Sequence, residues 1–221
     1  MLNCETNKLF YRKYLYKVVV KNHVATMFRD KNLNHARNEL DRMQTQLLEE
    51  KRITQTYGIR ETYVSQQDFE SGKILLSIFS SAKPYDYKLR IEGSNMCIYS
   101  NDMDFMHNIC SKVQVQEFWQ PNNNYKDKLD KDIILVERPF DYEFKVTFNQ
   151  NTIDPTFANW VHRNSNKIKI GKKALKAATD GFAQGLYFYV RNEKLLQLIS
   201  LMIGHNFQSV QRIVCKQDLD K

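Results

Sequence analysis

The stretch KPYDYKLRI, Lys83 to Ile91, decides the fold, because it returns as RPFDYEFKV at Arg138 to Val146 and in shorter form as YLYKVVV at Tyr14 to Val20. In register, Tyr14, Tyr85 and Phe140 align, then Tyr16, Tyr87 and Tyr142, then Val18, Leu89 and Phe144, and last Val20, Ile91 and Val146. That face is apolar in every copy. The intervening positions are mostly polar, among them Lys17, Lys88, Arg90, Asp141, Glu143 and Lys145. Alternation with a period of two describes a strand with one buried face, and Pro84 and Pro139 fall where a strand can begin without losing a ladder bond. The copy at Tyr14 is apolar on both faces near its end, through Val18, Val19 and Val20, which marks a central strand.

A second pattern recurs as TYVSQQDFESGKILLSIF from Thr62, CIYSNDMDFMHNIC from Cys97 and FYVRNEKLLQLISLMIG from Phe188. Each copy reads as a short strand, a polar break with an acidic residue, and an apolar-rich helix. Acidic groups suit a helix start because they meet unpaired amides and the positive end of the macrodipole. In the first copy, KILLSIF is also readable as a strand. Further strand-like pieces follow, VQVQEFW from Val113 and SVQRIVC from Ser209.

Together these segments predict an α/β (α+β) chain of two related ferredoxin-like halves with antiparallel or mixed sheets. Residues 60–120 supply one βαββαβ order, with a turn at EGSN, and residues 132–221 supply the other. A basic helical insertion at about 154–180 divides the first two strands of the second half. The polar, turn-rich segment 121–131 reads as a linker. One strand and one amphipathic helix precede the first half, within an N-terminal region 1–120. That helix, Leu33 to Glu50, carries Leu33, Ala36, Leu40, Met43 and Leu47 at spacings of three and four, a stripe for packing on a sheet.

The totals narrow the class of protein. A chain of 221 residues with 42% hydrophobic and 12% aromatic residues is globular, not disordered. Thirty-three Lys and Arg against 25 Asp and Glu leave +8, which favours polyanionic partners, nucleic acid first. Cys4, Cys97, Cys110 and Cys215 form no CxxC pair, so they read as reduced thiols in a cytosolic setting. The first residues lack the apolar run of a signal peptide, and LLQLISLMIG at Leu195 to Gly204 is too short to span a bilayer. The expectation is a cytoplasmic protein with no membrane partner. Seven Gly and four Pro, beside abundant Asn, Lys, Ile and Tyr, are the composition of AT-rich genomes, phage genomes among them. A phage or viral protein of that kind would act in the host cytoplasm.

Candidate chemistry is sparse. Glu143 and Lys145 form an E-x-K pair of the sort used by metal-dependent nucleases, with Asp141 beside them and Asp132 as an upstream acid. The repeat argues against that role, since the equivalent positions at Lys88 and Arg90 cannot bind a cation. The segment IYSNDMDF, Ile98 to Phe105, resembles one metal-binding segment of the 5′-nuclease (flap endonuclease) family, and the resemblance runs loosely on to FWQP at Phe118. It implies metal ligation by Asp102 and Asp104. The family also has an E-x-E-x-D-D cluster and an N-terminal Asp on a strand, and this sequence has neither. Helix capping is the plainer role for both residues. Cys97, His107 and Cys110 lack the fourth ligand of a zinc site, and IGKKALK lacks the first glycine and the Ser/Thr of a P-loop. No cofactor is expected.

The basic insertion is the main functional signal. Between Asp154 and Asp180 no acid occurs, while Arg163, Lys167, Lys169, Lys172, Lys173 and Lys176 supply cations. A local excess of this kind is what phosphate binding requires. In GLYFYVR, Leu186, Phe188 and Val190 share one strand face while Tyr187, Tyr189 and Arg191 share the other. On an open ferredoxin-like sheet such tyrosines offer stacking platforms for unpaired bases. The stretch departs from the RNP1 pattern, with Phe188 between the aromatics and Gln184 where a base is usual. An N-terminal cluster, Lys8, Arg12, Lys13, Lys17, Lys21, Arg29 and Lys31 with interleaved Phe10, Tyr11, Tyr14 and Tyr16, reads as an extension of the same kind of surface. The sequence therefore points to a non-catalytic binder of single-stranded RNA or DNA. The alternatives are a structural or protein–protein interaction component, homo-oligomers included, and third a Mg²⁺-dependent nuclease.

Overall fold

A computed structural model describes residues 1–57, 60–149, 153, 155–204 and 206–219, so Asp154, the first boundary of the basic run, lies outside the described residues. The chain divides into two compact units, Met1–Lys126 and Asp127–Lys221. In the first unit the elements run β1 (Leu2–Thr6), β2 (Tyr16–Lys21), α1 (Leu33–Leu48), β3 (Thr54–Tyr57), β4 (Arg60–Tyr63), α2 (Gln66–Ser81), β5 (Tyr87–Glu92), β6 (Asn95–Ser100), α3 (Met103–Lys112) and β7 (Val115–Pro121). The second unit contains β8 (Ile133–Val136), β9 (Phe144–Phe148), α4 (Pro155–Arg163), β10 (Ile168–Ile170), α5 (Lys172–Asp180), β11 (Tyr187–Val190), α6 (Glu193–Ile203), β12 (Phe207–Cys215) and α7 (Lys216–Leu219).

Each unit builds a five-stranded sheet, ordered β1-β7-β2-β6-β5 in the first and β10-β11-β9-β12-β8 in the second. Taking β2, β5, β6 and β7, or β9, β10, β11 and β12, as strands one to four, both sheets read 4-1-3-2 with antiparallel pairs, the ferredoxin-like order. Each also adds one edge strand parallel to its fourth: β1 on β7 and β8 on β12. The two halves are the same fold twice.

The central strand β2 forms where the alternation predicts. In β2, Tyr16, Val18 and Val20 are buried in the core of the first unit, and Val19 is buried on the opposite face. The helices follow from their caps: the side chains of Asn32, Ser65, Asp102 and Asn192 accept from the amides of His35, Asp68, Phe105 and Leu195, each at 3.0 Å. KILLSIF is helical, inside α2. Gly72 of α2 sits where a Cβ would approach Val24 Cγ2 to 2.8 Å and Leu40 Cδ2 to 3.3 Å, so the helix packs closely on its neighbours. Between β5 and β6 the two-residue turn Gly93-Ser94 is closed by pairing of Glu92 with Asn95, and Gly93 takes φ 59° without a Cβ penalty.

Beyond the two parallel edge strands, which the sequence reading lacked, further details differ from it. The strand at Tyr14–Val20, set ahead of the first half, is its first strand, β2; the strand at Thr62 belongs to the separate hairpin β3–β4. Strand–cap–helix looks alike in both places, and only the pairing partner tells them apart. In the second half the insertion holds strand two itself, β10, whose three residues are too few to display a period. Last, Pro84 lies in the turn that precedes β5, where the Asp86 amide donates to the Lys83 carbonyl, and Asp141 and Glu143 lie in irregular chain before β9. The repeats therefore begin as strands later than their prolines.

Candidate nucleic-acid interface

The sheet of the second unit has a covered face and an open one. Val146 and Phe148 of β9, Ile168 of β10 and Phe188 and Val190 of β11 are buried with Ile199 and Ile203 of α6 and Phe157 and Val161 of α4. Alternation sends their neighbours to the other side. There Tyr189 pairs in register with Lys145 on one flank and Lys169 on the other, so Lys169, Tyr189 and Lys145 form a row across three strands.

Aromatic packing fixes this row. The Lys145 ammonium lies over the Tyr187 ring at 4.0 Å from its centroid, and Tyr187 meets Tyr189 edge-on at 5.6 Å. The segment before β9 folds back onto the same face: Phe140 packs on Tyr189 at 5.1 Å, Tyr142 at 6.3 Å, and Lys169 sits over Phe140 at 5.3 Å. Tyr187 remains 44% exposed and Phe140 37%. The Tyr189 phenol is held above its ordinary pKa, by burial first and then by Tyr187, so it stays neutral through the physiological range. The face thus combines cations with aromatic rings whose outer surfaces reach solvent.

The basic run divides between two faces. Lys169 alternates with the buried Ile168, which places it on the open side, and Lys167, exposed in the turn before β10, accepts at its carbonyl from the amide of the exposed Arg191 at 3.2 Å. Lys172, Lys173 and Lys176 are exposed on α5, whose Ala174 and Ala178 are buried. Ala178 belongs to the helix-side core, so these lysines stand on the covered side of the sheet. Arg163 is exposed at the end of α4. The ion pairs among the described residues include none of the six cations. Lys172 and Lys173 open α5 behind Gly171, which provides no side-chain cap. Two cations at the positive end of a helix dipole do not stabilise that helix.

The acidic candidates do not converge. Asp102 caps α3 and Asp104 is exposed in its first turn, both in the first unit. Asp132, Asp141, Glu143 and Lys145 belong to the second, where Lys145 alone is within a strand. The Asp132 and Glu143 carbonyls accept from the Arg212 and Ile213 amides at 2.6 and 2.7 Å. Among the described residues no group of three His, Cys, Asp or Glu side chains is placed to hold a metal ion. Cys97 shares the open face of the first sheet with Tyr99, whereas Cys110 packs at the helix-side core, its thiol pKa raised by burial. The sheet lies between the two thiols.

Sequence reasoning missed Phe140 and Tyr142, because their register assigned them to a strand. It also left Lys145 outside the basic surface. The usable signal was the even spacing of Lys145 and Thr147 against buried Val146 and Phe148. Among the described residues, no helix is long and apolar enough to cross a membrane. Comparison with models of known protein families, with curated proteins and with solved structures found no match for this chain.

Proposed function

We propose that the chain binds single-stranded nucleic acid, without catalysis, through the open sheet face of its second unit. The observation that carries this reading is the Lys169–Tyr189–Lys145 row with the exposed Tyr187 beside it. A single strand offers phosphates to the lysines and unpaired bases to the rings. Duplex is disfavoured because its bases are stacked on one another and closed to a flat aromatic face. Lys167 and Arg191, exposed beside the row, lengthen the track for a phosphodiester backbone. Lysines 172, 173 and 176 add a wider positive field that steers the strand on approach.

Fluorescence anisotropy with labelled single-stranded DNA and RNA tests this. With about four phosphates neutralised, affinity falls about 50-fold between 50 and 200 mM salt. Tyr187→Ala weakens binding by about tenfold, the range of one lost base stack. Absent binding at low salt, or binding indifferent to salt, overturns the proposal.

A second reading, a protein–protein interaction component, is favoured by Leu198 and Leu201 on one side of α6, 45% and 84% exposed. Self-association in light scattering, together with no oligonucleotide binding, would select it.

A further inference from the structure

The first unit repeats the row. Tyr99 of β6 pairs in register with Lys17 of β2 and Lys88 of β5, the same strands and order as Tyr189 with Lys145 and Lys169. Lys17 is followed across the sheet by Trp119 of β7, whose ring lies 5.1 Å from the Lys17 ammonium. The chain before the first strand again folds onto the tyrosine: Phe10 packs on Tyr99 at 5.6 Å and Tyr11 meets it edge-on at 5.0 Å. Matching the rows equates Asp102 with Asn192, which both cap the next helix.

The outer surface differs. Tyr99 is 5% exposed, and the ring presented to solvent is Tyr11, 46% exposed, with the Lys88 ammonium 4.2 Å from its centroid. Tyr11 and Arg12 hold left-handed backbone, φ 51° and 58°, in a turn closed by the bridge between Phe10 and Tyr14. A residue with a Cβ adopts this conformation only against steric strain. The turn is thus held against local strain in a shape that sets an aromatic ring on Tyr99 beside Lys88, with one side open to solvent.

Charge gathers at the same place. Glu117 lies 3.8 Å from Lys17, and Glu92 holds Arg90, so those two cations are compensated. Lys13 and Lys88 form no ion pair among the described residues. Lys31 donates to the Pro84 and Tyr87 carbonyls over the Tyr87 ring, and its pKa is lowered by burial first and then by Lys13 and Lys88. Lys13 and Lys88 both oppose the charge of Lys31, which is itself held by those carbonyls on the side of the buried Tyr87, so Lys13 and Lys88 are the cations of this face that have neither a carboxylate nor a carbonyl partner among the hydrogen bonds and ion pairs described.

We propose that this face, Tyr11 with Lys13 and Lys88 above the Lys88–Tyr99–Lys17 row, is a second site for single-stranded nucleic acid, so that one chain holds two separate sites. The proposal rests on the function assigned to the second unit. A strand backbone places phosphates at Lys13 and Lys88, and a base stacks on Tyr11.

Isothermal titration of the full chain with an oligothymidine of about six nucleotides, near the size of one small binding site, tests it. The expected result is two oligonucleotides per chain. Lys13→Glu with Lys88→Glu, and separately Tyr11→Ala, reduce this to one. Tyr187→Ala with Lys169→Glu likewise leaves one, at the first unit. Circular dichroism confirms that each variant is folded; should Tyr11→Ala unfold the turn, the two charge reversals at surface lysines keep the test. One oligonucleotide per wild-type chain, lost with the second-unit variant and indifferent to the first, overturns this inference while the assigned function stands. One lost only with the first-unit variants overturns both the pair of sites and the assignment to the second unit. No binding at all removes both.

Discussion

The two units share strand order, the parallel edge strand, the capped helix after strand three and the Lys–Tyr–Lys row, yet differ where strands two and three are joined. In the first unit a two-residue turn at Gly93-Ser94 suffices; in the second, α5 and its flanking chain fill the interval from Ile170 to Tyr187. That addition carries Lys172, Lys173 and Lys176. The first unit instead extends its crossover with α1, the β3–β4 hairpin and α2. A sheet tolerates such additions because the pairing of its strands needs only that the chain return to the correct edge, and loop entropy rises slowly with length. What recurs despite these changes is a row of side chains on the sheet face away from the helices, with each lysine set over an aromatic ring. The recurrence supports the function proposed for that face.

The largest effect that can break the comparison is on independence of the two cores. Phe69 and Phe188 are fully buried, one in each. Phe69→Ala and Phe188→Ala each cost about 3–5 kcal/mol. Differential scanning calorimetry should show each variant lowering one transition and sparing the other. Loss of a single common transition in both would mean that the halves unfold as one.

A smaller effect sharpens the equivalence of Asp102 and Asn192. Both side chains accept from the third helical amide at 3.0 Å. Asp102→Ala and Asn192→Ala should each destabilise by about 1 kcal/mol in chemical denaturation. A cost at one and none at the other would argue that the rows match by chance.

The smallest effect is the alkaline response of the tyrosines under the aromatic segments. Tyr189 and Tyr99 both have raised pKa values, chiefly from burial. The unfolded chain releases those protons near pH 10 while the folded chain retains them, so stability present below that pH declines as pH rises past it. Titration of phenolate absorbance should reveal late-ionising tyrosines, and Tyr187→Phe should bring Tyr189 nearer its ordinary value. Tyr99 should not respond to that substitution.

Much of this was legible from residues. Val18, Val19 and Val20 announced a central strand, and the polar breaks with an acidic residue at Asp102 and in RNEK announced helix starts, because burial and capping act on neighbours in sequence. The register between repeats was not. Reading set Tyr14 against Phe140, whereas the pairing of Lys17 and Lys145 with their tyrosines sets Tyr14 against Tyr142. A slip of two leaves the buried face unchanged, so alternation alone cannot detect it. β10 escaped for a related reason, since three residues carry no period and only pairing with β11 defines it.

Local periodicity and composition were enough for two α/β halves, most of their buried faces and an acid-free basic run. Long-range pairing made β2 the first strand of the first sheet, divided the basic run between two sides, and set Tyr99 and Tyr189 between paired lysines. Those outcomes depend on hydrogen bonds between strands far apart in the chain, and no local pattern encodes which edges meet.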